Sequence, residues 1–284
     1  MRPASHEERE LLLNLVRRYS PSGREEEAAT YLVEWLRSRG LRAHLDGAGN
    51  ACARWGRGAA TLCLLGHIDT VSGRLPVGVR GDQLTGRGAV DAKGPLAAMT
   101  SALVRVSRTL EEPEDATVLL VGAVDEEGGS RGARYLLRGA AAPAATVIGE
   151  PSRWDRLTLG YRGSVGGTLT VRMPRVHTGA GVATTPEEAV RIWTEIVDCA
   201  ARYNAAEEEE EGTPAPLFRS LSPRLTGLSS GGDAGEGWAE IEFTVRIPPG
   251  LSAAQVKTSL QDLVCPHRVR FRGDEDPFIA ERNS

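Results

Sequence analysis

Apolar residues recur every three or four positions along several stretches of the first half of the chain, which is the spacing of an amphipathic helix. This pattern predicts helices at 6–18, 23–39, 94–110 and 131–138. The segment Ser22-Gly-Arg-Glu25 resembles a capping box, in which a serine and a glutamate three residues later satisfy each other's backbone amides. We therefore expect the second helix to begin at this segment and to end at Gly40.

Between these helices lie short, mostly apolar runs that predict β-strands. The run Thr-Leu-Cys-Leu-Leu-Gly at 61–66 is apolar along its length, as a strand buried on both faces should be. We predict strands at 41–45, 50–55, 61–66, 116–124 and 145–149. Because strands alternate with helices, we expect an α/β domain with a largely parallel sheet.

Beyond residue 160 the pattern changes to the order strand, helix, two strands, helix and strand. These elements are predicted at 165–173, 186–203, 223–231, 238–247, 252–264 and 267–272. The order βαββαβ is that of a ferredoxin-like domain. We therefore expect an α/β domain over 1–159, a ferredoxin-like domain over 160–273, and a return to the first domain at 274–284. The run Glu207–Glu211 is predicted to be a solvated loop.

Composition and charge narrow the class of protein. The 284 residues are 40% hydrophobic and 25% charged, which is ordinary for a globular protein. A formal net charge of −4 argues against nucleic-acid binding. No apolar run is long enough to span a membrane and the N-terminus has no apolar signal core, so we expect a cytoplasmic protein. The four cysteines form no Cys-x-x-Cys pair, so we expect reduced thiols.

Candidate metal-binding side chains follow one predicted strand and one Gly-rich segment. His67 and Asp69 come at the end of the strand at 61–66, and their spacing of two places both side chains on one face. A neutral imidazole binds zinc well, and a nearby carboxylate can orient it. Asp91 ends a Gly-rich segment and precedes the helix at 94–110. Taken separately, His67 fits a structural histidine in a polar turn, and Asp91 fits a helix cap.

Three further carboxylates follow the predicted strands at 116–124 and 145–149. Glu126 and Glu127 come after the strand at 116–124, and Glu150 follows the strand at 145–149. Each alone fits an exposed acidic turn or loop. Together with His67 and Asp91, they place acidic or imidazole groups after successive strands, where α/β sheets carry their sites. Oxygen and imidazole donors without cysteine indicate a catalytic rather than a structural zinc site.

Four segments in order resemble one family of enzymes. They are Gly-His-Ile-Asp-Thr-Val, Gly-Arg-Gly-Ala-Val-Asp-Ala-Lys-Gly, Asp-Glu-Glu-Gly-Gly-Ser-Arg-Gly-Ala and Ile-Gly-Glu-Pro-Ser. The family is that of zinc aminoacylases, acetylornithine deacetylases and succinyl-diaminopimelate desuccinylases. The resemblance implies a zinc-peptidase-like catalytic domain with a mixed sheet and flanking helices. It also implies an inserted ferredoxin-like lid, often used for homodimerisation.

The resemblance also implies a role for each residue. Two divalent ions, zinc with cobalt as an alternative, would be held by His67, Asp91, Glu127 and Glu150. His67 and Glu150 would bind one ion, Glu127 would bind the other, and Asp91 would bridge them.

The remaining implied roles concern catalysis. Asp69 would orient His67, and Glu126 would act as the general base. His177, in Val-His-Thr-Gly, matches a lid histidine that relatives present to the substrate carbonyl. Without the resemblance, a lone histidine there is more often structural.

Two local features resemble one branch of this family. Leu-Gly-Tyr-Arg-Gly at 159–163 and the His-Thr-Gly of the lid look like LysW-lysine/LysW-ornithine hydrolases, also described as acetyl-lysine deacetylases. Such enzymes release lysine or ornithine from an acidic carrier protein in lysine and arginine biosynthesis. Arg162, Arg172 and Arg175 are candidates to contact such a carrier, or they form an ordinary solvated surface. Acetylornithine, succinyl-diaminopimelate, a dipeptide or another small N-acyl amino acid are alternative substrates.

The sequence departs from the family at its end. Family members continue past the lid and supply a last metal-binding histidine, whereas this chain ends at Ser284 and its last histidine, His267, lies in the lid. We therefore expect a truncated chain that lacks one ligand of the second metal and exposes apolar surface. A divergent member with weakened activity, or a non-catalytic remnant or binding protein, are the alternatives.

Overall fold

A computed structural model describes residues 5–139, 141–153, 155–177, 179–211, 217–233 and 235–280. The chain divides into two compact units, Met1–Trp154 and Asp155–Ser284. Each unit has its own hydrophobic core. None of the helices in the described ranges is both long and apolar enough to cross a membrane.

The first unit is built on a five-stranded mixed sheet. Its strands along the chain are β1 Arg42–Leu45, β2 Ala51–Gly56, β3 Ala60–His67, β4 Gly78–Arg80, β5 Gln83–Thr85, β6 Ala116–Ala123 and β7 Ala145–Ile148. The order in the sheet is β1-β2-β6-β3-β7, and β4 and β5 form a separate hairpin. Strands β6, β3 and β7 are parallel, whereas β2 pairs antiparallel with both of its neighbours, β1 and β6. The expectation of a largely parallel sheet is therefore wrong for one edge, because the short turn between β1 and β2 permits only antiparallel pairing.

Four helices accompany this sheet: α1 His6–Arg17, α2 Glu26–Arg37, α3 Lys93–Thr109 and α4 Arg131–Gly139. The first three bury their apolar faces in one cluster, in which Leu15, Leu32 and Leu96 are fully buried. The cluster also includes Ala51 and Leu120 from the sheet. The apolar faces that the periodicity predicts for these three helices therefore pack against the sheet.

The other face of the sheet is thinly covered. A small buried cluster of Cys52, Cys63, Val121 and Ala123 lies there, with Leu136 of α4 packed against it. All residues of β7 are exposed, and the exposed fractions reach 60% at Ile148 and 85% at Leu137. The strands at 61–66 and 145–149 form close to their predicted positions. The expectation that the strand at 61–66 is buried on both faces is wrong at Leu62, which is 38% exposed.

The segment that resembles a capping box has a different role. Helix α2 begins at Glu26, and its cap residue Glu25 makes no side-chain capping bond. Ser22 instead donates to Asp69, and Glu25 accepts from the amides of Gly23 and Asp125. Tertiary partners have replaced the local bonds that the pattern predicts. Capping boxes do occur at the starts of α1 and of the helix Ala253–Leu263 in the second unit.

The second unit is a four-stranded antiparallel sheet with two helices on one face. Its elements are β8 Gly160–Tyr161, β9 Gly163–Pro174, α5 Thr185–Glu211, β10 Ser222–Gly232, β11 Glu236–Ile247, α6 Ala253–Leu263, β12 Arg268–Glu275 and β13 Phe278–Ile279. The main sheet has the order β10-β11-β9-β12. Val165, Leu169 and Phe243 are fully buried beneath α5 and α6. The predicted ferredoxin-like βαββαβ order is confirmed.

Two details differ from the expectation. Helix α5 continues through Glu207–Glu211, which was expected to be a loop, because glutamate is among the good helix formers. The following Thr-Pro-Ala-Pro segment lies outside the described residues.

The division between the units falls before residue 159, and residues 274–280 belong to the second unit rather than returning to the first. Strand β13 pairs with β8, and the ring of Phe278 stacks on Tyr161 with centroids 5.7 Å apart. These contacts keep the end of the described chain with the ferredoxin-like unit.

Candidate metal centre

Three parallel strands, β6, β3 and β7, end at the same side of the sheet, and acidic or imidazole side chains follow each of them. His67 is the last residue of β3 and lies opposite Ala123, the last residue of β6. Glu126 and Glu127 follow β6 within a few residues. Glu150 follows β7, which pairs with β3 on its other side. The carboxyl ends of adjacent parallel strands therefore create the cluster, as they do in other open α/β sheets.

The imidazole of His67 is the buried centre of this cluster. Its side chain is 2% exposed, and its Nε2 lies 3.1 Å from Asp91 Oδ1. The same nitrogen lies 3.8 Å from Glu150 Oε1 and 3.9 Å from Glu126 Oε2. These three carboxylates are about half exposed, so the cluster opens to solvent on the side that His67 Nε2 faces.

The other ring nitrogen of His67 is held by Asp69. His67 Nδ1 lies 3.0 Å from the backbone carbonyl oxygen of Asp69 and 3.4 Å from Asp69 Oδ1. Because a carbonyl oxygen can only accept, Nδ1 carries the proton in the neutral ring. The lone pair of Nε2 is then directed at the carboxylates, which is the tautomer that a metal ligand needs.

Asp69 is fully buried, and both oxygens of its carboxylate accept hydrogen bonds. Its Oδ1 accepts from the amide of Glu126 at 3.1 Å, and its Oδ2 accepts from the amide of Glu127 at 3.0 Å. Ser22 Oγ donates to Oδ2 at 2.7 Å. Burial raises the pKa of Asp69, but the hydrogen bonds from His67, Ser22 and the two amides outweigh it and hold the pKa below its ordinary value. Asp69 therefore stays charged.

The electrostatics of the cluster favour a cation. Burial opposes the charged form of His67, but the hydrogen bond with Asp69 and the charges of Glu150 and Glu126 raise its pKa to about 9. Burial, together with the neighbouring carboxylates, raises the pKa of Glu126 and Glu150 above the ordinary value, although His67 opposes it. The cluster therefore carries more negative charge than the single imidazolium of His67 can neutralise.

The donor atoms fit a divalent metal ion. The ligand atoms of His67, Asp91 and Glu150 lie within 4.8 Å of one another, and so do those of His67, Glu126 and Glu127. Imidazole and carboxylate donors without thiolate suit a catalytic zinc ion. The sequence thus identified the six residues of the first unit that converge here: His67, Asp69, Asp91, Glu126, Glu127 and Glu150.

His177 belongs to the second unit. It lies in the exposed loop that follows β9, and its Nδ1 accepts a hydrogen bond from the amide of Gly179 at 3.1 Å. This bond leaves Nε2 available to another partner.

Sequence reasoning missed Lys93, two residues after Asp91. Its side chain is 1% exposed, and its Nζ donates to the carbonyl oxygens of Leu15 at 2.9 Å and Arg18 at 2.6 Å. The ammonium therefore ties the end of α1 to the start of α3, beside Asp91. Burial lowers the pKa of Lys93 to about 8. The scarcity of lysine, at only Lys93 and Lys257 in the chain, was a signal that could have drawn attention to it.

Comparison with known proteins identifies the family. The model for peptidase family M20/M25/M40 matches residues 63–258, which include every residue of the cluster and most of the second unit. The chain belongs to the M20/M25/M40 peptidase family.

Curated M20-type relatives extend the match along the chain. A LysW-lysine hydrolase of Deinococcus radiodurans is 35% identical over 263 residues, covering 91% of this chain and 70% of the relative. A relative from Thermococcus kodakarensis is 39% identical over 248 residues, covering 87% of this chain and 64% of the relative. The chain therefore spans about two thirds of the length of these relatives.

Solved structures of the M20 family share the fold. A metallo-carboxypeptidase of Sulfolobus solfataricus superposes with a TM-score of 0.71 at 17% identity, covering 99% of this chain and 81% of that one. At this identity the likeness concerns the fold alone. It confirms the predicted combination of a mixed α/β unit with a separate antiparallel unit.

Proposed function

We propose that this protein is a metal-dependent hydrolase that releases lysine or ornithine from an amino-group carrier protein by cleaving an amide bond. The observation that carries the proposal is the direction of His67 Nε2 toward Asp91, Glu126 and Glu150. Membership of the M20 family and the similarity to a LysW-lysine hydrolase support the reaction and the substrate.

We assign the metal ligands from the geometry and the motif. His67 and Glu150 would hold one ion, Glu127 the other, and Asp91 would stand between them. The mixed imidazole and carboxylate donors favour zinc, with cobalt as an alternative. A zinc ion bound here would lower the pKa of water toward about 7 and polarise the substrate carbonyl.

The chain's own groups would perform the proton transfers. Glu126 is half-exposed beside His67, and its raised pKa suits a group that takes and returns a proton near neutral pH. It would accept a proton from the attacking water and deliver it to the leaving amine nitrogen. Asp69 would keep His67 in the metal-binding tautomer, and His177 would donate to the developing oxyanion from Nε2.

The second unit would meet the carrier and a second copy of the chain. Arg172 and Arg175 have exposed side chains, although Arg172 pairs with Glu236 at 2.7 Å. Arg162 is less available, because it donates to Ser222 Oγ at 3.0 Å. An acidic carrier would complement the exposed arginines. The protein would form a homodimer through this unit. It would act in the cytoplasm, where such a biosynthetic reaction takes place.

A substrate panel tests the proposal. The purified chain, loaded with zinc, is assayed against carrier-linked lysine, carrier-linked ornithine, acetylornithine, succinyl-diaminopimelate and dipeptides, and its metal content is measured. We expect the highest kcat/KM with a carrier-linked substrate and about two zinc ions per chain. A preference for a small substrate would overturn the substrate assignment. Zinc content near zero together with no turnover would favour a non-catalytic protein.

A further inference from the structure

The segment that follows β6 is held by side chains from three distant parts of the chain. Four consecutive backbone amides each donate to a buried side-chain oxygen. The pairs are Val124 N to Asn50 Oδ1 at 3.0 Å, Asp125 N to Glu25 Oε1 at 3.1 Å, Glu126 N to Asp69 Oδ1 at 3.1 Å, and Glu127 N to Asp69 Oδ2 at 3.0 Å. We call these three acceptors, Asn50, Glu25 and Asp69, the amide clamp.

The clamp acts where the backbone leaves the sheet. Strand β6 ends at Ala123, and Asp125 has a φ of 62°, a left-handed conformation that surrounding structure must hold in a residue with a side chain. Beyond the strand, the amides of 124–127 have no neighbouring strand to supply acceptors. Because the acceptor oxygens belong to side chains that are buried and fixed in place, their positions set the path of the backbone that donates to them. That path in turn sets where the side chains of Glu126 and Glu127 start.

Asn50 joins the two ends of the loop. It is fully buried, and its Nδ2 donates to Asp46 Oδ2 at 2.8 Å and to the carbonyl of Gly132 at 3.1 Å. Its Oδ1 accepts from Val124. Both protons and the oxygen of the amide are therefore used, and they connect the start of the loop, at Val124, to α4, at Gly132.

Glu25 joins the same loop to the segment before α2. Its side chain is buried, and its Oε1 accepts from Gly23 N at 2.7 Å as well as from Asp125 N. The neighbouring Ser22 donates to Asp69. Residues 22–25 thus hold the loop twice: directly through Glu25 and indirectly through Asp69.

We propose that Glu25 and Asn50 are positioning residues of the metal centre. They act through the backbone of 124–127, and through it they set the placement of the carboxylates of Glu126 and Glu127. Neither belongs to the ligand groups found among the described residues. The effect on metal affinity and on catalysis rests on the proposed function, whereas the effect on the backbone amides does not.

The test compares variants that keep or remove the acceptor. Glu25→Gln keeps an oxygen that can accept from Asp125, Glu25→Ala removes it, and Asn50→Ala removes the acceptor for Val124. Glu26→Ala, at the exposed neighbouring position, is the matched control. Zinc affinity is measured by competition with a chromophoric chelator. Hydrogen–deuterium exchange of the peptide containing 124–127 is measured on the metal-free chain, with thermal unfolding alongside.

We expect Glu25→Ala and Asn50→Ala to weaken zinc binding roughly tenfold, the scale seen when groups behind metal ligands are removed. Both should speed exchange at 124–127. Glu25→Gln should restore zinc affinity to within about threefold of the original chain, and Glu26→Ala should match it. With carrier-linked lysine, kcat should fall in the alanine variants while KM changes little.

Unchanged zinc affinity and exchange in folded Glu25→Ala would overturn the inference. An equal loss in Glu25→Gln and Glu25→Ala would also overturn it, since the acceptor would then not be the cause. If Glu25→Ala does not fold, Glu25→Asp replaces it, because the shorter side chain withdraws the carboxylate, and zinc affinity equal to that of the original chain would again refute the role. If the original chain binds no zinc, the proposed function fails, and exchange at 124–127 still decides whether the clamp exists.

Discussion

At the scale of single residues, each group in the centre has a different environment although all are acids or imidazoles. Asp69 is buried with donors around it, so it stays charged, whereas burial and the neighbouring carboxylates raise the pKa of Glu126. Two carboxylates in one site can thus take different roles, one orienting an imidazole and one exchanging protons.

Replacing Glu126 by glutamine tests the second of these roles. The amide keeps the size of the side chain but cannot accept the proton of the attacking water. We expect kcat to fall at least about a hundredfold. Zinc content should stay close to that of the original chain, and both are measured on the same sample. Retained turnover in the Glu126→Gln variant would refute the general-base assignment, and Glu111→Gln, at an exposed position, is the control.

Lys93 and Lys257, the two lysines of the chain, allow a matched comparison of stability. Lys93→Met keeps an apolar stem but removes the ammonium that donates to the carbonyls of Leu15 and Arg18. Leu15 keeps the amide of Arg18 as a donor. We expect the free energy of unfolding in urea to fall by about 2 to 3 kcal/mol. Lys257→Met removes a surface ion pair with Asp274, and it should cost less than about 1 kcal/mol. Equal losses in the two variants would show that the buried ammonium has no special structural role.

At the scale of elements, the loop between β6 and α4 depends on the close approach of the backbone of Gly132 to the side chain of Asn50. A Cβ at Gly132 would lie 2.2 Å from Asn50 Oδ1 and 2.7 Å from the backbone nitrogen of Val124. Glycine is therefore required at the start of α4. The same helix ends at Gly139, where a Cβ would meet no atom within 4 Å.

These two glycines make a prediction within one helix. Gly132→Ala should lower the free energy of unfolding by about 2 kcal/mol or more, because Asn50 and the backbone of Val124 must move. Gly139→Ala should leave it unchanged or raise it slightly, since alanine favours helix. Urea denaturation measures both. A stable Gly132→Ala variant would mean that the contact between α4 and Asn50 is loose.

Local pattern predicted most elements but not how they pair. The helices at 6–18, 94–110 and 131–138 and the strands near β2, β3 and β6 form close to their predicted positions, because their periodicity is a property of neighbouring residues. The antiparallel direction of β2, the start of α2 and the continuation of α5 through Glu207–Glu211 were not predicted. The first two depend on partners that a short window of sequence does not contain, whereas the third follows from the helix propensity of glutamate.

At the scale of the whole molecule, apolar side chains are exposed on one side of the first unit. Leu137 on α4 and Ile148 on the edge strand β7 have exposed fractions of 85% and 60%. An exposed apolar edge strand favours association between molecules.

Leu137→Lys tests this surface. Because the side chain is exposed, we expect a change in the free energy of unfolding within about 0.5 kcal/mol. Light scattering over a concentration series should show less association than in the original chain, most clearly at low salt. Identical scattering curves would show that this surface does not drive association.

The sequence by itself indicated which residues form the candidate metal centre. His67, Asp91, Glu126, Glu127 and Glu150 could be identified because each follows an apolar strand or a Gly-rich segment, and because their motifs resemble one family. Only the tertiary structure decided what supports them. The acceptors of the four amides at 124–127 come from Glu25, Asn50 and Asp69, which are separated along the chain, and Lys93 reaches back to the end of α1. Such bonds join residues that are distant in sequence, so they become visible only when folding has brought their atoms together.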